Sequence, residues 1–212
     1  MNVNSRIKTA RKILAMDVKV ASVVEAKTDD RVAEKSTLIG GDNWVQLKSL
    51  KSPEDNVNGY TYSHEIRCKG HIVAAVPFRS TEKGMEYLIR QEVTPCWNLT
   101  ERCPSTITGG CDTDSPADDI LRELEEEASI TATAEDLIEL GTCRGTKSSD
   151  TVYHLFALDL TGKEGDFSTG EGDGSELEGE AINKWVNKAE AIMSHDPLVA
   201  VIILRMEADV RD

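Results

Sequence analysis

Apolar runs separated by polar turns divide most of this chain into short predicted strands. Residues 71–79 (HIVAAVPFR) form a nearly continuous apolar run, which is typical of a buried strand. Residues 85–93 follow after a turn at 81–84, and this arrangement predicts a hairpin. Further strands are predicted by β-prone or alternating segments at residues 18–24, 44–50, 134–140 and 151–160.

The clearest helical pattern starts at Ser115 and Pro116, which suit the cap and the first position of a helix. The apolar residues that follow recur at helical spacing, and they are Ile120, Leu121, Leu124 and Ala128. Helical spacing also predicts helices over residues 181–193 and from Pro197 to about residue 209. Strands on both sides of a strong helix predict an α/β sandwich.

Three glutamates share one face of the first predicted helix. Glu123, Glu126 and Glu127 stand at positions i, i+3 and i+4, so their carboxylates crowd together. Such a face is more often simply solvated. Here, however, a Gly-Gly turn precedes the helix and Arg122 stands directly before the first acid, where it can brace the others. Carboxylate oxygens in this number suit Mg²⁺ or Mn²⁺, so the pattern predicts metal-assisted chemistry on a phosphate ester.

Composition narrows the class of protein. The 212 residues carry a net charge of −14, which disfavours binding to a nucleic-acid backbone but not to a nucleotide bridged by a metal ion. The sequence has no apolar run of membrane-spanning length, and we expect no membrane partner. Five cysteines without a CxxC pair indicate reduced thiols, and the expected location is cytoplasmic.

The acidic helix and the turn before it resemble the Nudix box. In that box a glycine, five residues, a glutamate and seven residues precede Arg-Glu-apolar-x-Glu-Glu-x-Gly-apolar. Residues 122–128 match the second half position by position, Ile130 matches the closing apolar residue, and Asp114 stands at the place of the first glutamate. The sequence departs from the box twice: Gly110 lies two residues too close to Asp114, and Ser129 replaces the last glycine.

Segments outside the box extend the resemblance to ADP-ribose and ADP-sugar pyrophosphatases. These segments lie in their usual order at residues 43–47, 60–65, 71–78, 87–95 and in the late GDGSELEG loop. The resemblance implies a Nudix-type α/β/α sandwich with a mixed sheet. It also implies an N-terminal β-segment at residues 1–69, a catalytic domain at residues 70–212, and a homodimer that exchanges the N-terminal segment.

The resemblance assigns roles to individual residues. It implies that Glu123, Glu126 and Glu127 hold the metal together with a backbone carbonyl near Gly109, while Arg122 positions the acids. For the adenine it implies stacking on Trp44, or more weakly on Tyr62; Trp44 could equally be a core residue.

A catalytic base and a phosphate-binding cation complete the implied site. The resemblance places the base on the glycine- and acid-rich loop at residues 162–179 or just after it, with Glu176 as the first candidate and Glu178 and Glu180 as rivals. Relatives carry an arginine where this chain has Thr94. Arg90 is a candidate substitute that would bind the diphosphate, or else an exposed strand residue.

The expected function is metal-dependent hydrolysis of a diphosphate that links a nucleoside to another group, with ADP-ribose or a nucleotide sugar as the substrate. The alternative is a Nudix-type domain that senses a nucleotide without cleaving it, which the shortened turn, Ser129 and Thr94 keep open. An acidic scaffold with a chance box is a third reading. The sequence does not select the substrate.

Overall fold

The computed structural model describes residues 29–168 and 180–209 of the chain. The strand predicted over residues 18–24 lies outside the described residues, and so does most of the loop predicted at residues 162–179. The strands are β1 (Ser36–Gly41), β2 (Val45–Ser52), β3 (Val57–Glu65), β4 (His71–Thr81), β5 (Gly84–Glu92), β6 (Cys103–Ser105), β7 (Ile107–Gly110), β8 (Leu137–Cys143), β9 (Val152–Asp159) and β10 (Ile182–Asn187). The helices are α1 (Asp30–Glu34), α2 (Pro116–Ala128), α3 (Lys188–Ala191) and α4 (Pro197–Asp209), with short 3-10 helices at Pro53–Asp55 and Ala134–Asp136.

A small antiparallel sheet, in the order β1-β2-β3, forms the N-terminal part of the described chain. β2 confirms the strand predicted at residues 44–50. The second sheet begins at β4, so the predicted boundary near residue 69 falls between the two sheets. That the two parts are separate domains stays a prediction.

The second sheet is mixed, as predicted, and β4 lies at its centre. Its main path runs β10-β5-β4-β9-β8, while β6 pairs with β5 and β7 pairs with β4. β4 is parallel to β9 and antiparallel to both β5 and β7. The nearly continuous apolar sequence of β4 follows from this position, because a central strand covered on both faces has no solvent-facing side.

A helix packs on each face of the mixed sheet. On one face, the apolar side of α2, formed by Ile120, Leu124 and Ala128, packs in one cluster with Val73 and Ala75 of β4. On the other face, apolar residues of α4 pack with the alternate residues of β4, which are Ala74, Val76 and Phe78. The architecture is therefore the predicted α/β/α sandwich. Among the described helices, none is long and apolar enough to cross a membrane.

The prediction of a helix over residues 181–193 is wrong for the first half of that segment. Residues 182–187 form β10, which pairs with β5 from Ile182 opposite Gln91 to Asn187 opposite Glu86. Only the short helix α3 follows. The segment becomes a strand because β5 offers it a full row of backbone partners, and such a tertiary contact overrides a local helical pattern. Similarly, the strand predicted from residue 134 begins at Leu137, after a 3-10 turn.

Candidate active site

The turn before α2 is short, and side chains hold it in place. The Ser115 hydroxyl caps the helix by accepting a hydrogen bond from the Asp118 backbone N–H at 3.3 Å. Asp119 is fully buried, and its carboxylate accepts from the backbone N–H and the hydroxyl of Thr113 at 3.3 and 3.1 Å. These bonds fix the turn although it is two residues shorter than in the Nudix box. Asp114, which replaces the first glutamate of that box, is exposed.

The end of α2 explains the other departure from the box. Ser129 has φ 52° and ψ 35°, which is the left-handed conformation that glycine adopts most easily. The backbone N–H groups of Ser129 and Ile130 donate to the carbonyls of Glu125 and Leu124, both at 3.0 Å. The chain therefore makes the same kind of helix end with serine, at the cost of backbone strain.

One cleft brings the predicted acids together. It lies where β7 and the turn after it face α2. Its lining residues come from four parts of the chain, and they are Arg67, Thr108, Gly109, Gly110, Asp112, Arg122, Glu123, Glu126 and Glu127.

Arg122 forms ion pairs with three carboxylates of the cleft. Its guanidinium lies 2.8 Å from the Glu123 carboxylate, 3.2 Å from that of Glu126 and 3.0 Å from that of Asp112. The contact with Glu126 is the i,i+4 pair of a helix. One arginine thus pairs with three carboxylates. The positioning role that the resemblance implies for Arg122 stays a prediction.

Glu127 has a different partner, the buried Arg90 of β5. The Arg90 guanidinium lies 3.5 Å from the Glu127 carboxylate and donates to the Glu127 backbone carbonyl at 3.3 Å. The same carbonyl accepts from the Asn183 side chain at 2.8 Å. Arg90 also pairs with Glu92 at 2.8 Å. Arg90 is therefore not an exposed strand residue: it supports α2 from the sheet.

Gly109 allows the close approach of Glu123 to β7. A Cβ atom on Gly109 would overlap the carboxyl group of Glu123. Any other residue would therefore displace either this carboxylate or the strand. A glycine here serves the packing of the acid against the strand, whether or not the neighbouring backbone carbonyl binds a metal.

Burial changes the acidity of Glu123. Desolvation raises the pKa of its carboxyl group to about 7, although the adjacent Arg122 opposes the shift, and the negative charges of Glu126 and Asp112 add to it. A carboxyl group with such a pKa is poorly compensated by the protein alone. Binding of a cation nearby would stabilise its charged form.

The donor chemistry of the cleft fits a hard divalent cation. Four carboxylates line it, and oxygen donors are what Mg²⁺ and Mn²⁺ prefer. Among residues 29–168 and 180–209, however, no three acidic, histidine or cysteine side chains are already grouped around a common metal position. The carboxylates point to arginines instead, so Glu126 would have to turn from Arg122 to bind a metal ion. Metal binding stays a prediction.

The predicted base-stacking residues lie in different surroundings. Trp44 is exposed beside the cleft, with the Arg67 guanidinium 5.3 Å from its ring centroid. Tyr62 is buried, and its hydroxyl donates to Ser36 at 3.0 Å, so its ring belongs to the packing of the small sheet.

The predicted base is not located. Glu176 and Glu178 lie outside the described residues, and Glu180 is exposed just before β10. The base therefore stays a prediction.

Several residues that shape the cleft are not identified by the sequence pattern. Asp119 carried a usable signal, because an acid in the first turn of a helix is well placed to bond the preceding loop. Asp112 lies in the short turn that the box comparison marked as irregular. Asn183 has no identifying feature in the sequence, because its role depends on Arg90, its partner on the neighbouring strand β5. The helical pattern predicted for residues 181–193 does not reveal that pairing.

Comparisons with known proteins bear on the fold. No protein-family model matches the sequence, and no curated protein is recognisably similar to it. A solved ADP compounds hydrolase matches in structure with a TM-score of 0.58 at 15% identity, covering 82% of this chain and 90% of that chain. The NUDIX domain of Shewanella oneidensis NrtR, solved with ADP ribose, matches with a TM-score of 0.47 at 15% identity, covering 65% of this chain and 86% of that chain.

The fold is therefore that of the Nudix proteins, an α/β/α sandwich in which a carboxylate-bearing helix lies on a mixed sheet. The resemblance inferred from the acidic helix holds at the level of three-dimensional structure. At 15% identity the likeness defines the fold and not the reaction.

Proposed function

We propose that the protein is a divalent-metal-dependent pyrophosphohydrolase. Its substrate is a nucleoside diphosphate linked to another group, with ADP-ribose and nucleotide sugars as the first candidates. The observation that carries the proposal is the convergence of Glu123, Glu126 and Glu127 with Gly109 in one cleft of a Nudix fold. The structural neighbour named for ADP compounds supports the substrate class.

We assign a separate role to each group of side chains in the cleft. Glu123, Glu126 and Glu127 would hold Mg²⁺ or Mn²⁺, which when bound neutralises diphosphate oxygens and lowers the pKa of a water molecule. Arg122 keeps Glu123 and Glu126 aligned, and Arg90 fixes Glu127 from the sheet side. A carboxylate of the loop before β10, with Glu176 as the first candidate, would take the proton from the attacking water.

The test pairs a substrate panel with two matched variants. ADP-ribose, ADP-glucose, NADH and diadenosine polyphosphates are incubated with the protein and Mg²⁺, and the products are separated by chromatography. Glu127→Gln should lower turnover by at least about a hundredfold, since it removes a charged ligand. Glu125→Gln, the same change at an exposed position of α2 outside the cleft, should keep wild-type turnover. The proposal fails if no compound is cleaved, or if Glu127→Gln cleaves as fast as the wild type.

A nucleotide sensor is the second candidate. It is favoured by the ion pairs of Arg122 and Arg90, which give each acidic side chain of the cleft a cationic partner without a metal ion. Calorimetry with ADP-ribose separates the two functions: metal-independent binding without product supports the sensor, whereas cleavage that requires Mg²⁺ excludes it.

We extend the proposal to a homodimer. Apolar side chains stay exposed on the small sheet and beside it, and they are Leu38, Ile39, Trp44, Val45, Leu47 and Tyr60. By the strand register, Leu38 and Tyr60 lie on one face of the small sheet, and Val45 and Leu47 lie on the other. Exposed apolar side chains in this number suit an interaction surface, and a second copy of the chain is the occupant we propose. Sedimentation velocity at micromolar concentration measures the mass directly, and a monomer would contradict this extension.

A further inference from the structure

A side chain of β10 holds the last turn of α2. Glu127 is the residue before the end of α2, so its carbonyl is among those that receive no hydrogen bond from within the helix. The Asn183 side-chain amide donates to this carbonyl at 2.8 Å, and the Arg90 guanidinium donates to it at 3.3 Å. Asn183 therefore makes the shorter of these two bonds between the sheet and the helix end.

The backbone of Asn183 has partners on two sides. Across one edge of β10, its register partner is Arg90 of β5. On the other side, the Asn183 N–H donates to the Ser168 carbonyl at 2.6 Å. The ring of Phe167 also packs edge-on against Trp185, with the ring centroids 6.5 Å apart. Asn183 thus presents its amide from a well-supported strand, and such a support holds a side chain more precisely than a loop does.

Packing alone does not explain an asparagine at this position. Its side chain is buried, with the residue only 6% exposed, and its Oδ1 atom has no hydrogen-bond partner among residues 29–168 and 180–209. A leucine of nearly the same size would fill the space without burying an unpaired polar atom, which costs free energy. The side chain nevertheless carries an amide, and that amide donates to the Glu127 carbonyl, which points to a specific need for this bond.

The position of this helix end matters for the acidic face. Glu126 and Glu127 both lie in the last turn of α2, before the chain leaves the helix at Ser129. Helix ends fray unless their free backbone groups are bonded, and a displaced last turn would carry both carboxylates with it. A metal ion tolerates errors of only about 0.2 Å in its ligand distances. The affinity of the cleft for a metal ion therefore depends on how firmly the last turn is held.

We propose that Asn183 is a positioning residue for Glu127, and that it sets the affinity of the cleft for Mg²⁺ or Mn²⁺. Asn183 acts through the Glu127 backbone and contacts neither the metal ion nor the substrate. The assignment rests on the proposed pyrophosphohydrolase function, which it deepens. Loss of a partner that bonds a metal ligand directly weakens metal binding by about 10–100-fold. Asn183 bonds the backbone and shares the carbonyl with Arg90, so the expected effect is smaller.

Mn²⁺ binding to the full-length protein tests the proposal independently of activity. EPR spectroscopy measures the free Mn²⁺, because the signal of bound Mn²⁺ is broadened. Glu127→Gln identifies the binding that belongs to the cleft. Asn183→Leu removes the amide donor at nearly constant size, and Asn183→Ala removes the same donor should leucine prevent folding. Asn187→Ala is the matched control on the same strand, because it removes the side-chain cap of α3 and lowers stability away from α2.

Asn183→Leu should weaken Mn²⁺ binding by about threefold to tenfold. Asn187→Ala should bind within about twofold of the wild type, because its change is independent of α2. In Asn183→Leu, the Mg²⁺ concentration for half-maximal cleavage should rise by the same factor as the Mn²⁺ dissociation constant, while turnover at saturating Mg²⁺ stays within about twofold of the wild type. A merely structural role would instead weaken Mn²⁺ binding in both variants, in line with their loss of stability in urea. The inference is overturned by that result, or by an Asn183→Leu protein that binds Mn²⁺ like the wild type.

These outcomes are distinct from failure of the proposed function. A wild type that binds Mn²⁺ and cleaves ADP-ribose, with Asn183→Leu unchanged in both, removes only the role of Asn183. A wild type that binds Mn²⁺ more tightly than Asn183→Leu but cleaves no substrate supports the positioning role and removes the hydrolase. A wild type that binds no Mn²⁺ overturns both.

Discussion

Replacing Arg90 with methionine should destabilise the protein strongly. The Arg90 side chain is 3% exposed and pairs with two carboxylates, those of Glu92 at 2.8 Å and Glu127 at 3.5 Å. It also donates to the Glu127 carbonyl. Methionine keeps most of the side-chain length but removes the charge, so the Glu127 carboxylate stays largely buried without its cation. Breaking a buried pair in this way costs about 3–5 kcal/mol of unfolding free energy.

Arg79 provides the matched control for this change. Its guanidinium lies 2.8 Å from the Glu86 carboxylate, the same separation as for Arg90 and Glu92, but its side chain is 37% exposed. Arg79→Met should therefore cost only about 1 kcal/mol, including the loss of its stacking on Trp185. Both substitutions replace an ion-paired arginine with methionine, but the Arg90 side chain is buried and the Arg79 side chain is not.

Urea unfolding followed by circular dichroism measures both costs. For a chain of this size, a loss of 3 kcal/mol corresponds to a fall in Tm of roughly 6–12 °C. Adding Glu127→Gln to Arg90→Met should recover part of the loss, because it removes the uncompensated charge. If Arg90→Met costs no more than Arg79→Met, Arg90 does not support α2 as described, and the reasoning is refuted.

Two further predictions involve glycine, one at the end of α2 and one on β7, the strand that α2 packs against. Ser129→Gly should raise the free energy of unfolding by about 0.5–1 kcal/mol in urea denaturation, because glycine adopts the left-handed conformation at φ 52° without strain. Ser129→Ala keeps the strain and is the control. An equal gain in Ser129→Ala would contradict this cause. Gly109→Ala should lower it by about 1–3 kcal/mol, since the added methyl group overlaps the Glu123 carboxylate. Gly40→Ala, where a Cβ meets nothing within 4 Å, is its control, and an equal loss in both variants would show that the contact with Glu123 is not the cause.

The sequence predicts β4 and α2 correctly because their patterns of apolar residues are strong. The apolar run at residues 71–79 predicts a buried strand, and β4 is buried as predicted. The residues that begin α2, Ser115 and Pro116, define its start without help from the rest of the fold. Local chemistry is enough where the pattern is strong and the capping residues agree with it.

Prediction from the sequence fails where contact with a distant segment determines the secondary structure or the burial of a residue. Residues 182–187 become a strand because β5 is beside them, and no local feature identifies that neighbour. The sequence shows that Arg90 is a cation, but it does not show that Arg90 is buried, because that burial depends on α2 lying over β5. One signal was available: Arg90 and Glu92 are two residues apart in a strand and so share a face.

The two arginines of the site hold its acids with unequal strength, and this difference bears on how the cleft could accept a cation. Arg122 is 39% exposed and Glu126 is 38% exposed, and an ion pair with that exposure contributes at most about 1 kcal/mol, so Glu126 can turn away from Arg122 at little cost. The Glu123 side chain is only 11% exposed and packs against Gly109, so it is held more firmly. Glu127 cannot turn as easily, because its partner Arg90 is buried and also bonds its backbone carbonyl. Glu123 and Glu127 are thus the fixed members of the acidic face, and Glu126 is the adjustable one. A cation in this cleft would therefore meet two preplaced carboxylates, those of Glu123 and Glu127, and would have to recruit Glu126 from Arg122.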